Sequence, residues 1–196
     1  MTIIVKAKMK KDNINRVVVA GLIAAVYAAA TLICNLVLPG ISWGPVQIRI
    51  SEAICSVALL TPSAVPGLTL GCVIANALNT AISGSGALGI LDIIFGSLAT
   101  FIGASICWKM REKGNIALLA FVFSNALIVP AYLPILLQFS GYYTIPFTTI
   151  SLDGMWIWMY LFGVVSLCIS QSIVLFVLGI PIKNALNSHN KLVSNF

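Results

Sequence analysis

The sequence predicts an all-α integral membrane protein, a bundle of six transmembrane helices with both termini cytoplasmic. Three observations carry that expectation. Sixty per cent of residues are hydrophobic and 8% are charged, with a mean hydropathy of +1.05, whereas a soluble domain carries about a quarter charged residues. The 196 residues fall into apolar runs separated by Pro- and Gly-bearing turns. At roughly 20 residues per crossing, they leave room for about six helices and no separate catalytic domain. Finally, the basic residues gather at alternate ends of those runs, as membrane topology requires.

Residues 1–16 carry Lys6, Lys8, Lys10, Lys11 and Arg16 against Asp12 and are read as a cytoplasmic N-terminus. The following apolar run has spanning length and no clean small-residue cleavage site, so it is read as a retained helix rather than a signal peptide. This first helix, about Val17–Leu38, has two rows of small residues one turn apart: Ala20, Ala24, Ala28 and Gly21, Ala25, Ala29. Such rows allow close approach of another helix, either within the bundle or on a partner subunit. Pro39-Gly40 ends the helix, and Trp43 follows at interface depth.

A short second helix is expected from Gln47 to Leu60, and a turn with two breakers from Thr61 to Gly67. The third helix, about Leu68–Ile82, is also short and carries Asn76 and Asn79 on one face. Pairs of short, Gly/Pro-interrupted segments can mark a binding site. A Gly-rich loop over residues 84–89 leads to the fourth helix, about Ile90–Trp108, with Asp92 in its first turn, where an acid complements the helix dipole. Its small residues, from Gly96 to Ala104, place it inside the bundle.

The basic connector Lys109–Lys113 precedes a fifth helix, about Asn115–Leu137, containing Asn125 and Pro130. The longest loop, Gln138–Gly154, holds Tyr142, Tyr143 and Asp153. A sixth helix, about Met155–Ile180, opens with Trp156 and Trp158 and carries Gln171 deeper in. Pro181 is expected to close it before a polar cytoplasmic tail, leaving residues 17–182 as the membrane domain.

With the N-terminus inside, ten of the eleven basic residues fall on the cytoplasmic side and the exception is Arg49. Glu52, Asp92 and Asp153 fall on the other side with it. The net charge of +6 is therefore topological and forms no basic patch with aromatics of the nucleic-acid-binding kind. The five cysteines lie in or beside apolar runs without CxxC spacing and are read as free thiols. The single histidine, His189, lies in the tail, so a His-based metal site or triad within the membrane lacks its ligands.

Against this background the stretch from Trp43 to Cys55 is anomalous. Gln47, Arg49, Ser51 and Glu52 put an amide, a guanidinium, a hydroxyl and a carboxylate within six residues. Ionisable groups at a membrane segment are costly unless they face a cavity or a partner. Arg49 and Glu52, three apart on a helix, are placed to pair. The surrounding hydrogen-bonding capacity exceeds what one ion pair uses, so a polar ligand accounts for it better. A planar ligand with several polar edges suits these groups, with Trp43, Trp156, Trp158 and Tyr142 or Tyr143 as stacking surfaces.

The run Val46-Gln47-Ile48-Arg49-Ile50-Ser51-Glu52-Ala53, then Gly71-Cys72-Val73-Ile74-Ala75-Asn76, then Asp92-Ile93-Ile94-Phe95-Gly96-Ser97-Leu98-Ala99-Thr100, resembles the QueT family. These are queuosine-precursor transporters, substrate-binding (S) components of energy-coupling factor importers. The similarity extends to the closing Val177–Pro181 run. It implies a six-helix S-component fold with an external pocket for a 7-deazaguanine: 7-cyano- or 7-aminomethyl-7-deazaguanine, or queuine. It also implies a transmembrane coupling subunit and two cytoplasmic ATPases as partners, with Ala20-x-x-x-Ala24, continued by Ala28, matching the docking motif. Gln47, Arg49, Glu52, Asn76 and Asp92 lie on the matching motifs and are the leading pocket candidates, with Trp43, Asn79, Asn125, Trp156 and Gln171 beside them. At Ser170-Gln171 the chain departs from the Gly-Glu frequent in that family. No cofactor is implied, and without a GxxxxGK[ST] loop the energy would come from the partners.

Two other transport readings stay open: an S component for another vitamin or base, and a stand-alone transporter coupled to protons through Glu52 or Asp92. An intramembrane enzyme using either as general base lacks a membrane histidine, a metal cluster or a GxSxG motif.

Overall fold

A computed structural model of the chain describes residues 2–37, 49–83, 89–139 and 156–193. All the described elements are helical. Helix α1 covers Thr2–Val37, α2 Ile50–Leu59, α3 Ala64–Ser83, α4 Gly89–Lys109, α5 Leu119–Phe139 and α6 residues 156–193. A 3-10 segment, Arg111–Leu118, leads into α5. Five helical stretches are long and apolar enough to cross a membrane: Asn13–Val37, Ala64–Ile82, Gly89–Lys109, Arg111–Tyr132 and Trp156–Ser188. The all-α bundle expected from composition is therefore present.

The sixth expected crossing is of a different kind. Helix α2 is a 3-10 helix of ten residues beginning at Ile50, three residues later than the sequence suggests. At about 2.0 Å per residue it extends roughly 20 Å, further than an α-helix of equal length. Seven of its ten residues are buried, from Ser51 through Ala58, so it runs through the middle of the bundle. Ala53 and Ser56 let α6 come close, because a Cβ on Gly179 would lie 3.1 Å from the Ala53 carbonyl oxygen.

Two boundaries move because a proline is tolerated where the sequence suggests a break. Helix α3 begins at Ala64, so Pro66 sits in its first turn, where its missing N–H has no helical acceptor to lose. Helix α6 continues past Pro181 to Val193. The preceding Val174–Gly179 segment is a π-helix, whose altered hydrogen-bond spacing accommodates the ring. The basic N-terminal residues are likewise helical and continuous with the first span.

Close crossings hold the bundle. A Cβ on Gly71 would lie 2.8 Å from the Ala24 carbonyl oxygen, and one on Gly103 would meet Ser124 Oγ at 2.7 Å and Phe121 Cδ1 at 2.8 Å. Small residues thus bring α1 onto α3 and α4 onto α5. Ala24 and Ala28, 2% and 6% exposed, belong to the first of these crossings. The Ala20/Ala24/Ala28 row, expected to dock a coupling subunit, is used inside the chain, and Gly21, Ala25 and Ala29 are the exposed row. A core of Tyr27, Cys55, Leu68, Cys72, Leu118, Phe121 and Leu175 packs together and reaches the polar site through Tyr27, Cys55 and Cys72. Lys183 Nζ donates to Asn115 Oδ1 at 2.6 Å. This bond brings the C-terminal part of α6 and the segment after the 109–113 connector to one end of the bundle.

Candidate substrate-binding site

Three irregular helical segments converge on one polar centre. The 3-10 helix α2 supplies Glu52, and the residue before it, Arg49, is extended (φ −101°, ψ 100°). The π segment Asp92–Gly96 of α4 supplies Asp92, and the π segment of α6, Val174–Gly179, begins three residues after Gln171 and supplies Val174. π-Helical turns are uncommon and recur at functional sites, since they re-aim side chains that a regular α-helix would place elsewhere.

Glu52, 6% exposed, is held by three donors from three elements. Tyr27 OH on α1 donates to Oε1 at 2.8 Å. Cys55 Sγ, one turn on in α2, and Gln171 Nε2 on α6 both donate to Oε2 at 3.3 Å. Asp92, 2% exposed, accepts a 2.6 Å hydrogen bond from Tyr132 OH on α5 and forms a salt bridge with Arg49 at 3.7 Å. Asn76 Nδ2 donates to the Asp92 backbone carbonyl at 2.8 Å, fixing the π turn from α3. Buried charges survive only when paired or richly hydrogen-bonded, and each carboxylate here meets that condition.

Arg49, Glu52, Cys72, Gly96, Thr100, Asn125, Val129, Leu167, Gln171 and Val174 line a small cavity. Its free volume is about 30 Å³, room for roughly two water molecules. One wall is polar and the other aliphatic, the pattern of a site for a compact polar molecule with an apolar face. The cavity lies away from the ends of the helices. Tyr27 lies ten residues, about 15 Å, before the end of α1, and Gln171 lies near the middle of Trp156–Ser188.

Of the sequence-predicted residues, Arg49, Glu52, Asn125 and Gln171 line the cavity, and Asp92 joins it through Arg49. Asn76 stands behind it as a positioning residue for Asp92. Asn79 accepts a 3.2 Å hydrogen bond from Asn35 Nδ2, between α3 and α1. Trp156 does not line the cavity: it is 48% exposed and stacks on Tyr160 with centroids 5.5 Å apart, as an interface anchor does. Gln47 and Trp43 lie outside the described residues, as do Tyr142, Tyr143 and Asp153. Arg49 caps the start of α2 in an extended conformation, its carbonyl accepting from the Glu52 N–H at 3.0 Å, and its guanidinium reaches Asp92 at 3.7 Å. Asp92 therefore serves that pair from the first turn of α4.

Sequence reasoning missed Tyr27, Tyr132, Cys72 and Thr100. A signal existed for the first. Tyr27, Thr31 and Asn35 recur every four residues in an apolar helix, and each reaches a polar partner. Thr31 joins the Tyr27 carbonyl and the Ser51 hydroxyl, each at 2.8 Å.

Comparison with known proteins bears on the whole bundle. A family model described as QueT transporter matches residues 17–188. A curated relative, the queuosine precursor transporter QueT of Lactococcus lactis subsp. cremoris (strain MG1363), is 31% identical over 98 residues. That alignment covers 50% of this chain and 52% of the relative, so the chain spans about half the length of the curated relative it matches. No solved structure matches the chain. With its five apolar spans this is a multi-pass membrane protein, and it belongs to the QueT transporter family.

Proposed function

We propose that the chain is the membrane-embedded substrate-binding subunit of an ATP-driven importer. It captures a queuosine precursor, a 7-deazaguanine, from outside and delivers it inward with a transmembrane coupling subunit and two ATPases. The observation that carries the reading is the buried Glu52–Gln171–Asn125–Arg49 cavity within an apolar bundle of a QueT-family chain. The name of the L. lactis relative supports the ligand class.

The chemistry of the lining suits a guanine-like base. An ionised carboxylate accepts from adjacent ring N–H and amino groups, and Asn125 and Gln171 supply amide donors and acceptors for the remaining edge. Leu167, Val129 and Val174 offer the ring face an apolar wall. A bicyclic base exceeds the space present, so the walls separate on binding, and the π segments next to Asp92 and Gln171 are the elements with hydrogen bonds to rearrange. For docking the coupling subunit, the exposed Gly21/Ala25/Ala29 row replaces the internally used Ala24 and Ala28.

The test is uptake of a labelled 7-deazaguanine by cells carrying this chain with its coupling subunit and ATPases. Uptake is expected to require all the components and to vanish with Glu52→Ala. Accumulation in proteoliposomes by this chain alone, driven by a pH gradient, would contradict the subunit reading.

A further inference from the structure

A second opening lies on the outside of the bundle, and its chemistry is the reverse of the polar centre's. It is a groove of about 510 Å³ between α4 and α5, against about 30 Å³ for the polar cavity, and the two share no lining residue. Ile102, Ile106 and Met110 form one wall, each four residues from the next. Ala120, Ser124 and Ile128 form the other at the same spacing, so each row holds one face of its helix. Ser124 Oγ, the hydroxyl in the lining, turns back onto the Ala120 carbonyl at 2.6 Å and leaves the groove apolar. Each row rises over eight residues, about 12 Å of helix, and half the hydrocarbon core of a bilayer is about 15 Å. The groove is one leaflet deep.

Both rows end at the basic connector, since α4 runs into it and α5 follows the Arg111–Leu118 segment. That connector carries Lys109, Arg111 and Lys113 against Glu112. Lys109 stands seven residues after Ile102 and three after Ile106, on the groove face of a helix that stays regular to this point. Arg111 is engaged elsewhere: its guanidinium lies 4.1 Å over the Trp108 ring and donates to the Trp108 carbonyl at 3.1 Å. Lys109 and Lys113 are exposed, and among the described residues neither stands in a salt bridge. An apolar slot therefore ends at two uncommitted cations.

We infer that this groove is a binding site for one anionic phospholipid, its acyl chain between α4 and α5 and its phosphate at Lys109 and Lys113. A lipid of no net charge fills the slot but leaves the two ammonium groups uncompensated. A headgroup with net negative charge answers both features, as at other basic pockets between membrane helices. A helix of another protein would have to bring acidic side chains to the same level. The bound lipid braces the same two helices that the Tyr132–Asp92 bond joins further from the connector. The site is independent of the 7-deazaguanine reading.

The experiment is native mass spectrometry of the purified full-length chain with phosphatidylglycerol and phosphatidylcholine of identical acyl chains, added in equal amounts. One phosphatidylglycerol is expected to stay bound per chain, favoured over phosphatidylcholine by about tenfold or more. In the double variant Lys109→Gln, Lys113→Gln that preference is expected to fall below about threefold. Ala120→Phe, which fills the groove and keeps the cations, is expected to lower retention of both lipids. Arg16→Gln, which removes an exposed cation from α1, is expected to change neither. Equal retention of the two lipids by the wild-type chain overturns the proposal without any variant, so poor folding of a variant leaves the test intact. Retention unchanged in Ala120→Phe, or lowered equally by Arg16→Gln, overturns the groove as the site. A second protein chain that co-purifies one-to-one with the wild type and is lost in Ala120→Phe overturns the lipid as occupant.

Discussion

Tyr27 ties the first helix to the candidate site. Its hydroxyl donates to a carboxylate at 2.8 Å, and hydrogen bonds to charged groups contribute about 1.5–3 kcal/mol. Tyr27→Phe is therefore expected to weaken ligand binding by roughly tenfold or more, a change that titration calorimetry resolves. The Arg49–Asp92 pair makes a separate prediction. Removing one partner of a buried pair costs about 3–5 kcal/mol, because the survivor is left uncompensated. Asp92→Asn should lower the thermal unfolding temperature in detergent, and Arg49→Gln added to it should recover part of the loss. Recovery of nothing would mean that the 3.7 Å contact contributes little. The sequence marked Arg49, Glu52 and Asp92 because charge stands out in an apolar chain. Tyr27 and Tyr132 were hidden because a tyrosine in a membrane helix is ordinary until its hydroxyl is seen to meet a carboxylate.

The element scale shows where local rules were overridden. Hydrophobic runs and glycine- or proline-bearing turns located every helix, but periodicity carries no signal for the 3-10 winding of α2 or the π turns of α4 and α6. Those windings go with tertiary contacts: α2 stretches through the bundle, Asp92 opens a π turn and reaches Arg49, and Val174 opens another and lines the cavity. Proline misled at Pro66 and Pro181 because its cost depends on which hydrogen bonds the neighbouring turn has to give. Because the cavity is smaller than a base, these irregular turns are expected to rearrange on binding. Amide hydrogen exchange over Asp92–Gly96 and Val174–Gly179 should slow when ligand is added, while exchange in the α1–α3 crossing stays unchanged. Gly103→Leu should instead abolish the folded peak in size-exclusion chromatography, since even a Cβ there would lie 2.7 Å from Ser124 Oγ.

At the scale of the whole molecule, charge was the most legible property. The positive-inside distribution predicts the orientation, and the Lys183–Asn115 bond joins the C-terminal end of α6 to the segment that follows the 109–113 connector. Less legible was which small-residue row of α1 faces outward, because both rows have the same spacing and only packing against Gly67 and Gly71 distinguishes them. Ala25→Leu on the exposed row is expected to block uptake while leaving binding in detergent intact. The central claim is that the Arg49–Glu52–Asp92 centre binds a queuosine precursor. It is tested most directly by titrating the purified chain with a panel of 7-deazaguanines, riboflavin, biotin and thiamine. Saturable one-to-one binding of a deazaguanine alone, lost in Glu52→Ala, is the predicted result; tight binding of another vitamin with no response to any deazaguanine would contradict it.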